Sequence, residues 1–378
     1  MRQAYLTWPR WCFRFLTMGT LCLAGLCAPA AAQNSAQSAP QLTWITPDPT
    51  MGGILAGKGD SRLAKDISGI ACRSGMQGAA LDCLVVNDES IAAQRVTIDG
   101  RTLVPGATVP LIGNALPKAA LGRLPAPDTC PNGSGQFGEF DGEGIAFADT
   151  PNRGAFYVVG SHGCSRNKGK FRLSSFLLAR LHINSNGELA PVELTWRLSS
   201  FLRTAKTVGD YFGRSLDAAT QGLNIEGMAA VGDRLLFGLR APSRDGDAFI
   251  IGVPIADLFA PGQGEAQETP QVFPVSLGAN TGIRDMTALS DGRLLVLSGP
   301  TQDQKEVPYA LALVTLRERP ESAMVQWLGR LPEVMSGGEQ AKAEGITILG
   351  RDTTGAHVLV LFDGLENGGP REFQVKLP

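Results

Sequence analysis

From residue 41 to residue 378 the chain is a succession of short apolar runs separated by polar and glycine-rich breaks, and the runs come in a repeating order. A six-residue motif recurs as Asp66-Ile-Ser-Gly-Ile-Ala71, Asp141-Gly-Glu-Gly-Ile-Ala146, Asn224-Ile-Glu-Gly-Met-Ala229, Gly282-Ile-Arg-Asp-Met-Thr287 and Lys342-Ala-Glu-Gly-Ile-Thr347. A bulky run follows each one: Cys83 to Val86, Phe156 to Val159, Leu235 to Phe237, Leu294 to Leu297 and Val358 to Phe362. Short runs of β-branched and aromatic residues bounded by turn formers predict strands, so each motif and its run form a hairpin. Gly232-Asp233 and Asp291-Gly292 are suited to the turns of two of them.

Third strands are predicted at Ala93 to Ile98, Ser175 to Ile183, Ala248 to Pro254, Tyr309 to Leu316 and Glu372 to Leu377. Fourth strands are predicted at Thr108 to Ile112, Glu193 to Leu198, Val272 to Leu277 and Met324 to Gly329. A single four-stranded unit of this kind leaves two apolar faces in water, and a ring of them buries both. The fold class is therefore all-β, a five-bladed β-propeller of four-stranded antiparallel blades over residues 41–378. The fifth unit stops after its third strand, and Gln41-Leu-Thr-Trp-Ile-Thr46 matches the fourth-position sequence Glu193-Leu-Thr-Trp. Residues 41–46 are thus expected to close the ring, which removes two free sheet edges. The first two repeats exceed the others by Gly113 to Phe140 and Thr204 to Gly222, read as loops, with a degenerate sixth blade as the alternative.

Ahead of the repeats, Arg2, Arg10 and Arg14 precede an apolar run from Phe15 to about Ala28 and then Ala30-Ala31-Ala32. Basic, then apolar, then small residues make a secretory signal peptide over residues 1–32, with 33–40 as a linker. The run is short for a membrane anchor, which is the rival reading. Without those three arginines the chain has 31 basic and 36 acidic residues, a net charge of −5. That balance excludes the basic stripe a nucleic-acid partner requires. With no later apolar stretch long enough to span a bilayer, the expectation is a periplasmic or secreted monomer with no stable membrane anchor. Four cysteines remain, Cys72, Cys83, Cys130 and Cys164. In an oxidising compartment they favour two disulfides over a metal site, since no Cys-x-x-Cys spacing occurs. Cys72 and Cys83 fall on neighbouring strands, leaving Cys130 for Cys164.

In a propeller the first strand of each blade lines the axis, and its start shares one mouth with the exit of the second strand. This gathers Ser68, Glu143, Glu226, Arg284 and Glu344, with Asp66, Asp141 and Lys342 just before three of them. The second-strand exits add Asp88, Glu89, His162, Arg240 and Asp363. Two carboxylates about 5 Å apart repel by roughly 3 kcal/mol at an effective dielectric near 20, so something must offset the glutamates. Three devices would serve: a hard cation such as Ca²⁺ held by Glu143, Glu226, Glu344 and Asp363; pairing with Arg240 and Arg284; or a carboxyl kept protonated, able to act as a general acid. The competing reading makes Glu-Gly-Ile a fold element whose carboxylates accept backbone N–H groups. Beside this mouth, Arg166, Lys168, Lys170 and Arg172 in the loop after Gly160 could cradle a small or phosphorylated ligand. No G-x-S-x-G, H-E-x-x-H or P-loop occurs.

These repeats, together with Val-Gly-Ser-His-Gly-Cys-Ser-Arg and Phe-Gly-Leu-Arg-Ala-Pro, resemble the bacterial domain-of-unknown-function family 3616 over nearly all of the mature chain. More distantly the chain is similar to phytase-type esterase-like propellers, which share the Glu-Gly-hydrophobic repeat and include calcium-dependent phosphate-ester hydrolases. It lacks their dense Asp clusters. The second resemblance implies a hydrolase, and joined to the residues gathered at the mouth it gives a metal-assisted phosphoester or ester hydrolase with Glu143, Glu226, His162 and Arg240 in catalysis and Arg284 and Asp88 in ligand binding; the alternative is a non-catalytic binding propeller. The export reading is open to direct measurement. Protein recovered from periplasm or medium is expected to begin at Gln33 by N-terminal sequencing, and a chain retaining residues 1–32 would establish the anchor instead.

Overall fold

The computed structural model describes residues 35–378 except 58–62, 76–79, 127–128, 134, 150–153, 167 and 267, so the expected signal peptide lies outside the described residues. A two-residue strand, β1 (Thr50–Met51), precedes blade one: β2 (Ile67–Ser74), β3 (Leu81–Asn87), β4 (Ala92–Asp99) and β5 (Thr102–Pro110). Blade two is β6 (Gly142–Ala148), β7 (Ala155–Gly160), β8 (Leu178–His182) and β9 (Glu193–Thr195). Blade three is β10 (Asn224–Val231), β11 (Arg234–Ala241), β12 (Asp247–Pro254) and β13 (Gln271–Ser276), and blade four is β14 (Thr281–Ala288), β15 (Leu294–Pro300), β16 (Ala310–Glu318) and β17 (Glu321–Arg330). A small hairpin, β18 (Met335–Ser336) and β19 (Glu339–Gln340), leads into blade five: β20 (Lys342–Asp352), β21 (Gly355–Asp363) and β22 (Arg371–Val375). Strands within each blade are sequential neighbours, and β1 adds to β5 in parallel. The molecule is a five-bladed β-propeller.

Second strands are apolar at successive positions because both of their faces are covered. In β3, Leu84 and Val86 pack toward blade two while Cys83 and Val85 pack toward blade five. In β7, Phe156 and Val158 face blade one while Tyr157 and Val159 face blade three. The alternation continues through Leu294 and Val296 against Leu295 and Leu297, and through Val358 and Val360 against Leu359 and Leu361. The core is consequently a circle of slabs between blades, and the slab joining blades five and one completes it.

Two strand expectations shift. The fourth strand of blade one starts at Thr102 rather than Thr108, and that of blade two ends at Thr195 because α1 (Leu198–Thr204) begins there. Leu198, Phe201 and Leu202 lie at helical spacing and are buried between blades two and three. Both expected disulfides are present: Cys72–Cys83 joins directly paired residues of β2 and β3, and Cys130–Cys164 ties the 113–140 loop to the loop after Gly160. Each contributes on the order of 2 to 4 kcal/mol by restricting the unfolded chain, and both fit an oxidising environment.

Closure differs in detail from the six-residue strand expected. Trp44 makes one antiparallel bridge with Phe373, and the Ile45 N–H donates to the Glu372 carbonyl at 2.7 Å. Just before it, the Leu42 N–H donates to the Arg330 carbonyl at 2.8 Å and the Arg330 N–H donates to Pro40 at 2.8 Å. Blade four therefore holds residues 40–42, and only the following residues reach blade five. A Cβ on Gly329 would come within 2.5 Å of Leu42 Cγ, so this glycine makes the seat. Residues 35–40, expected as a linker, are docked: Ala36 and Ala39 are buried and Arg330 Nε donates to the Ala39 carbonyl at 3.0 Å.

The Trp44 ring meets Phe373 edge to face at 6.4 Å. Trp44→Ala is expected to cost about 2 kcal/mol in urea unfolding, less than a fully buried aromatic because Trp44 is half-buried. Met324→Ala on the exposed strand β17 should change stability by under about 0.5 kcal/mol. Equal effects at the two sites would mean that Trp44 does not hold the ring closed.

Candidate functional site

Within every motif the pairing of first and second strands slips by one residue, and the residue left unpaired is Ser68, Glu143, Glu226, Arg284 or Glu344. Such a bulge re-aims the extra residue's side chain. The glycine that follows keeps adjacent inner strands close: a Cβ on Gly69 would lie 2.9 Å from the Glu143 carbonyl oxygen, and one on Gly144 would lie 3.1 Å from that of Glu226. Blade four has Asp285 in this place. Its carboxylate accepts the N–H of Met286 at 2.8 Å and, from blade five, the N–H of Ile346 at 2.7 Å. The fold-element role foreseen for the glutamates thus falls to Asp285, which the sequence shows only as a break in the repeat.

Arg284, 1% exposed, links the axis. Its Nη2 pairs with Glu344 Oε1, and its Nε stands 2.9 Å from Glu226 Oε2, out of line with the N–H and so an electrostatic contact. Arg240 Nη1 donates to the other Glu226 oxygen at 2.6 Å, while its Nε donates to the Thr301 carbonyl at 2.8 Å. A chain of alternating charge, Arg240–Glu226–Arg284–Glu344, therefore crosses from blade three to blade five. Lys342 and Asp363 form a separate pair at 2.5 Å. Of the three devices for offsetting the glutamates, arginine pairing accounts for Glu226 and Glu344.

Glu143 is different. Neither a hydrogen bond nor an ion pair engages its side chain among the described residues, and burial holds its carboxyl well above the ordinary range, reinforced by Glu226, Asp141, Asp88 and Glu344. Burial and the surrounding acids push Asp88 up to about 8, with Oδ1 buried and unpartnered. Glu344 rises to about 7 because burial outweighs the opposing Arg284. Asp141 is raised by burial against the Ser161 hydroxyl that donates to it and the nearby Arg172.

Glu143 opens onto a cleft of about 260 Å³ over blades two and three. Asp141, Ser161, Asn224 and Arg240 share its walls, with Lys170 and Arg172 toward the outside. Asn224 holds the repeat position of Asp141 and Lys342 and could have been placed at the mouth from that, whereas Ser161 carried no signal beyond its place after a strand end. His162, expected at the mouth, is fully buried instead, its ring 5.6 Å from Phe176. It adopts φ +50°, and its Nδ1–H donates to the Gly160 carbonyl at 2.9 Å. Burial lowers its pKa to about 4, so it is a neutral wall residue that does not line the cleft. Arg166 pairs at 2.7 Å with Asp303 of the blade four loop, and Lys168 is exposed, neither lining the cleft. Glu89 is half-buried beside Asp88.

The set considered for Ca²⁺ fits poorly. Glu226, Glu344 and Asp363 each face a protein cation, which leaves Glu143 as the single uncompensated donor. Among the described residues no three His, Cys, Asp or Glu side chains are grouped so as to hold an ion.

Acids with raised pKa values keep protons in the native state that the unfolded chain has already lost, so stability falls as pH rises from about 4 toward 8. Asp88→Asn and Glu143→Gln are each expected to flatten the fall in melting temperature between pH 5 and pH 8.5. Parallel curves for wild type and both variants would show that these carboxyls are not protonated in the fold.

The family model for proteins of unknown function designated DUF3616 matches residues 184–372, half of the 378-residue chain. No curated protein matches. Solved structures similar to it include a hypothetical protein from Leishmania major, 10% identical over 89% of each chain with a TM-score of 0.39. An exo-beta-1,3-galactanase from Clostridium thermocellum is 8% identical over 86% of this chain and 61% of that one, TM-score 0.43. The alpha-L-arabinofuranosidase PaAbf62A from Podospora anserina is 11% identical over 87% and 96%, TM-score 0.42. By the extent of the family match, the chain belongs to the DUF3616 family of proteins of unknown function.

Proposed function

We propose that this protein acts outside the cytoplasm as a binding propeller that takes a small polar ligand into the cleft over blades two and three. The observation that carries this reading is Glu143. Of the glutamates at the repeated bulge it alone has no arginine among the described residues, and it opens on a cleft large enough for a small molecule. Its neighbours Glu226 and Glu344 are neutralised from within, so they shape the site and do not compete for the ligand. The disulfides support the compartment.

A second reading, hydrolysis of a phosphoester or carboxylic ester, is supported by the raised pKa of Glu143. A carboxyl that keeps its proton near neutral pH is suited to donate it to a leaving oxygen, with Arg240 beside it. Ca²⁺ has no role in this version.

Thermal-shift measurements against phosphate monoesters, inositol phosphates, polyols and small polar acids and bases test the binding reading. A ligand at 100 times its Kd stabilises by about 2.7 kcal/mol, and Glu143→Gln should remove most of that gain. Turnover of phosphate monoesters or aryl esters, lowered about 100-fold by the same change, would decide for the hydrolase. If no member of the panel shifts the melting temperature and none is turned over, both readings fall.

A further inference from the structure

The segment that closes the ring depends on one buried carboxylate, that of Glu372. Both backbone polar groups of Ile45 are engaged there: its N–H donates to the Glu372 carbonyl at 2.7 Å, and its carbonyl accepts Arg101 Nη2 at 3.0 Å. Arg101 lies in the turn between β4 and β5 of blade one, and its Nε stands 2.5 Å from Glu372 Oε2. The other Glu372 oxygen accepts the Nδ1–H of His357, on β21, at 2.7 Å. Glu372 is 5% exposed, so two positive partners from different blades offset the cost of burying its charge.

His357 also faces a second acid, because its Nε2 lies 3.2 Å from Asp352 Oδ2 at the end of β20. The other Asp352 oxygen accepts the hydroxyl and N–H of Thr354 and the N–H of Gly355, which hold this carboxyl down to about 2. Among the described residues, Asp352 of β20 and Glu372 of β22 are the charged groups that face the ring, and Gln374, paired with His357 across β22, carries no charge. A neutral imidazole has one N–H and can serve one carboxylate; only the imidazolium serves both.

We propose that His357 is a proton-dependent latch on the closed ring: as imidazolium it holds the Glu372 carboxylate where Arg101 and Ile45 meet, and on losing its proton it loosens residues 42–48 while the blades stay folded. In the neutral ring one nitrogen presents a lone pair to a carboxylate, and Glu372 loses one of its two positive partners. The bond to Glu372, supported by Asp352, raises the His357 pKa above the ordinary imidazole value. The latch is therefore fully set below about pH 6.5, where the unfolded chain also holds the proton, and is lost as pH rises through the higher folded value. It is independent of what the cleft binds.

Hydrogen–deuterium exchange of the mature chain, corrected for the intrinsic pH dependence of exchange, tests this by mass spectrometry on peptides covering residues 42–48 and, as a reference, β13. Protection of 42–48 relative to β13 is expected to fall about fivefold between pH 6 and pH 8.5, the scale of a partly exposed charge-assisted hydrogen bond. His357→Gln should show the looser value at both pH values. Asp352→Asn, which keeps an acceptor for the turn, should move the midpoint of the fall to lower pH. Asp352 is exposed, so its variant carries the test if His357→Gln folds poorly. An unchanged ratio in the wild type would overturn the latch. A fall of the same size in His357→Gln, or an unmoved midpoint in Asp352→Asn, would also overturn it and trace the effect to the acids of the mouth.

Discussion

Five inner strands must converge on one axis, and there the ring leaves less room than a side chain at every position needs. The repeat answers this constraint with two linked features, a bulge that takes one residue out of register and, in every blade but the fourth, a glycine beside it that lets neighbouring backbones approach. What is left at the axis is one re-aimed side chain per blade. The chemistry of the mouth follows from which residue each blade puts there: a serine, three glutamates and an arginine.

Burying that much charge is unfavourable unless it is matched, and the match is specific. Arg284 sits between Glu226 and Glu344 because its blade lies between theirs, so the order of blades sets the order of charges. The DUF3616 match spans this alternating chain from Glu226 to Glu344. Glu143 and Lys170 lie before it, on blade two. The mouth is thus divided into a neutralised half, which holds the axis together, and a half with unsatisfied groups, which faces the cleft.

Much of this architecture was legible in the sequence because it repeats. Five motifs, their bulky partner runs and the N-terminal likeness to a fourth strand led to the blade count, both disulfides and the ring closure. Less was legible where one residue departs from the repeat or where loops from several blades meet. Asp285 looks like an imperfect glycine until its carboxylate is seen bonding two backbone N–H groups. His162 looked like a mouth residue by its distance from β7, but the loops packed around Phe176 bury it. Leu198, Phe201 and Leu202 had helical spacing, hidden because the preceding residues continue a strand pattern. Which glutamate lacks an arginine could not be read from spacing at all, since it depends on the direction in which two long side chains cross the axis.

Closure by the segment around Trp44 has a consequence for the order of events in folding. Trp44 leaves the ribosome among the first residues of the propeller, yet Phe373 and Glu372, its partners, are among the last. Blades one to four are built from sequence-local hairpins and have what they need as they appear, whereas the final contact spans nearly the whole domain and carries the largest loop-closure entropy. Until that late encounter the edge of β22 is unpaired, so the interval between synthesis of the last strand and capture of the first segment is when the chain is most exposed to pairing with another copy of itself.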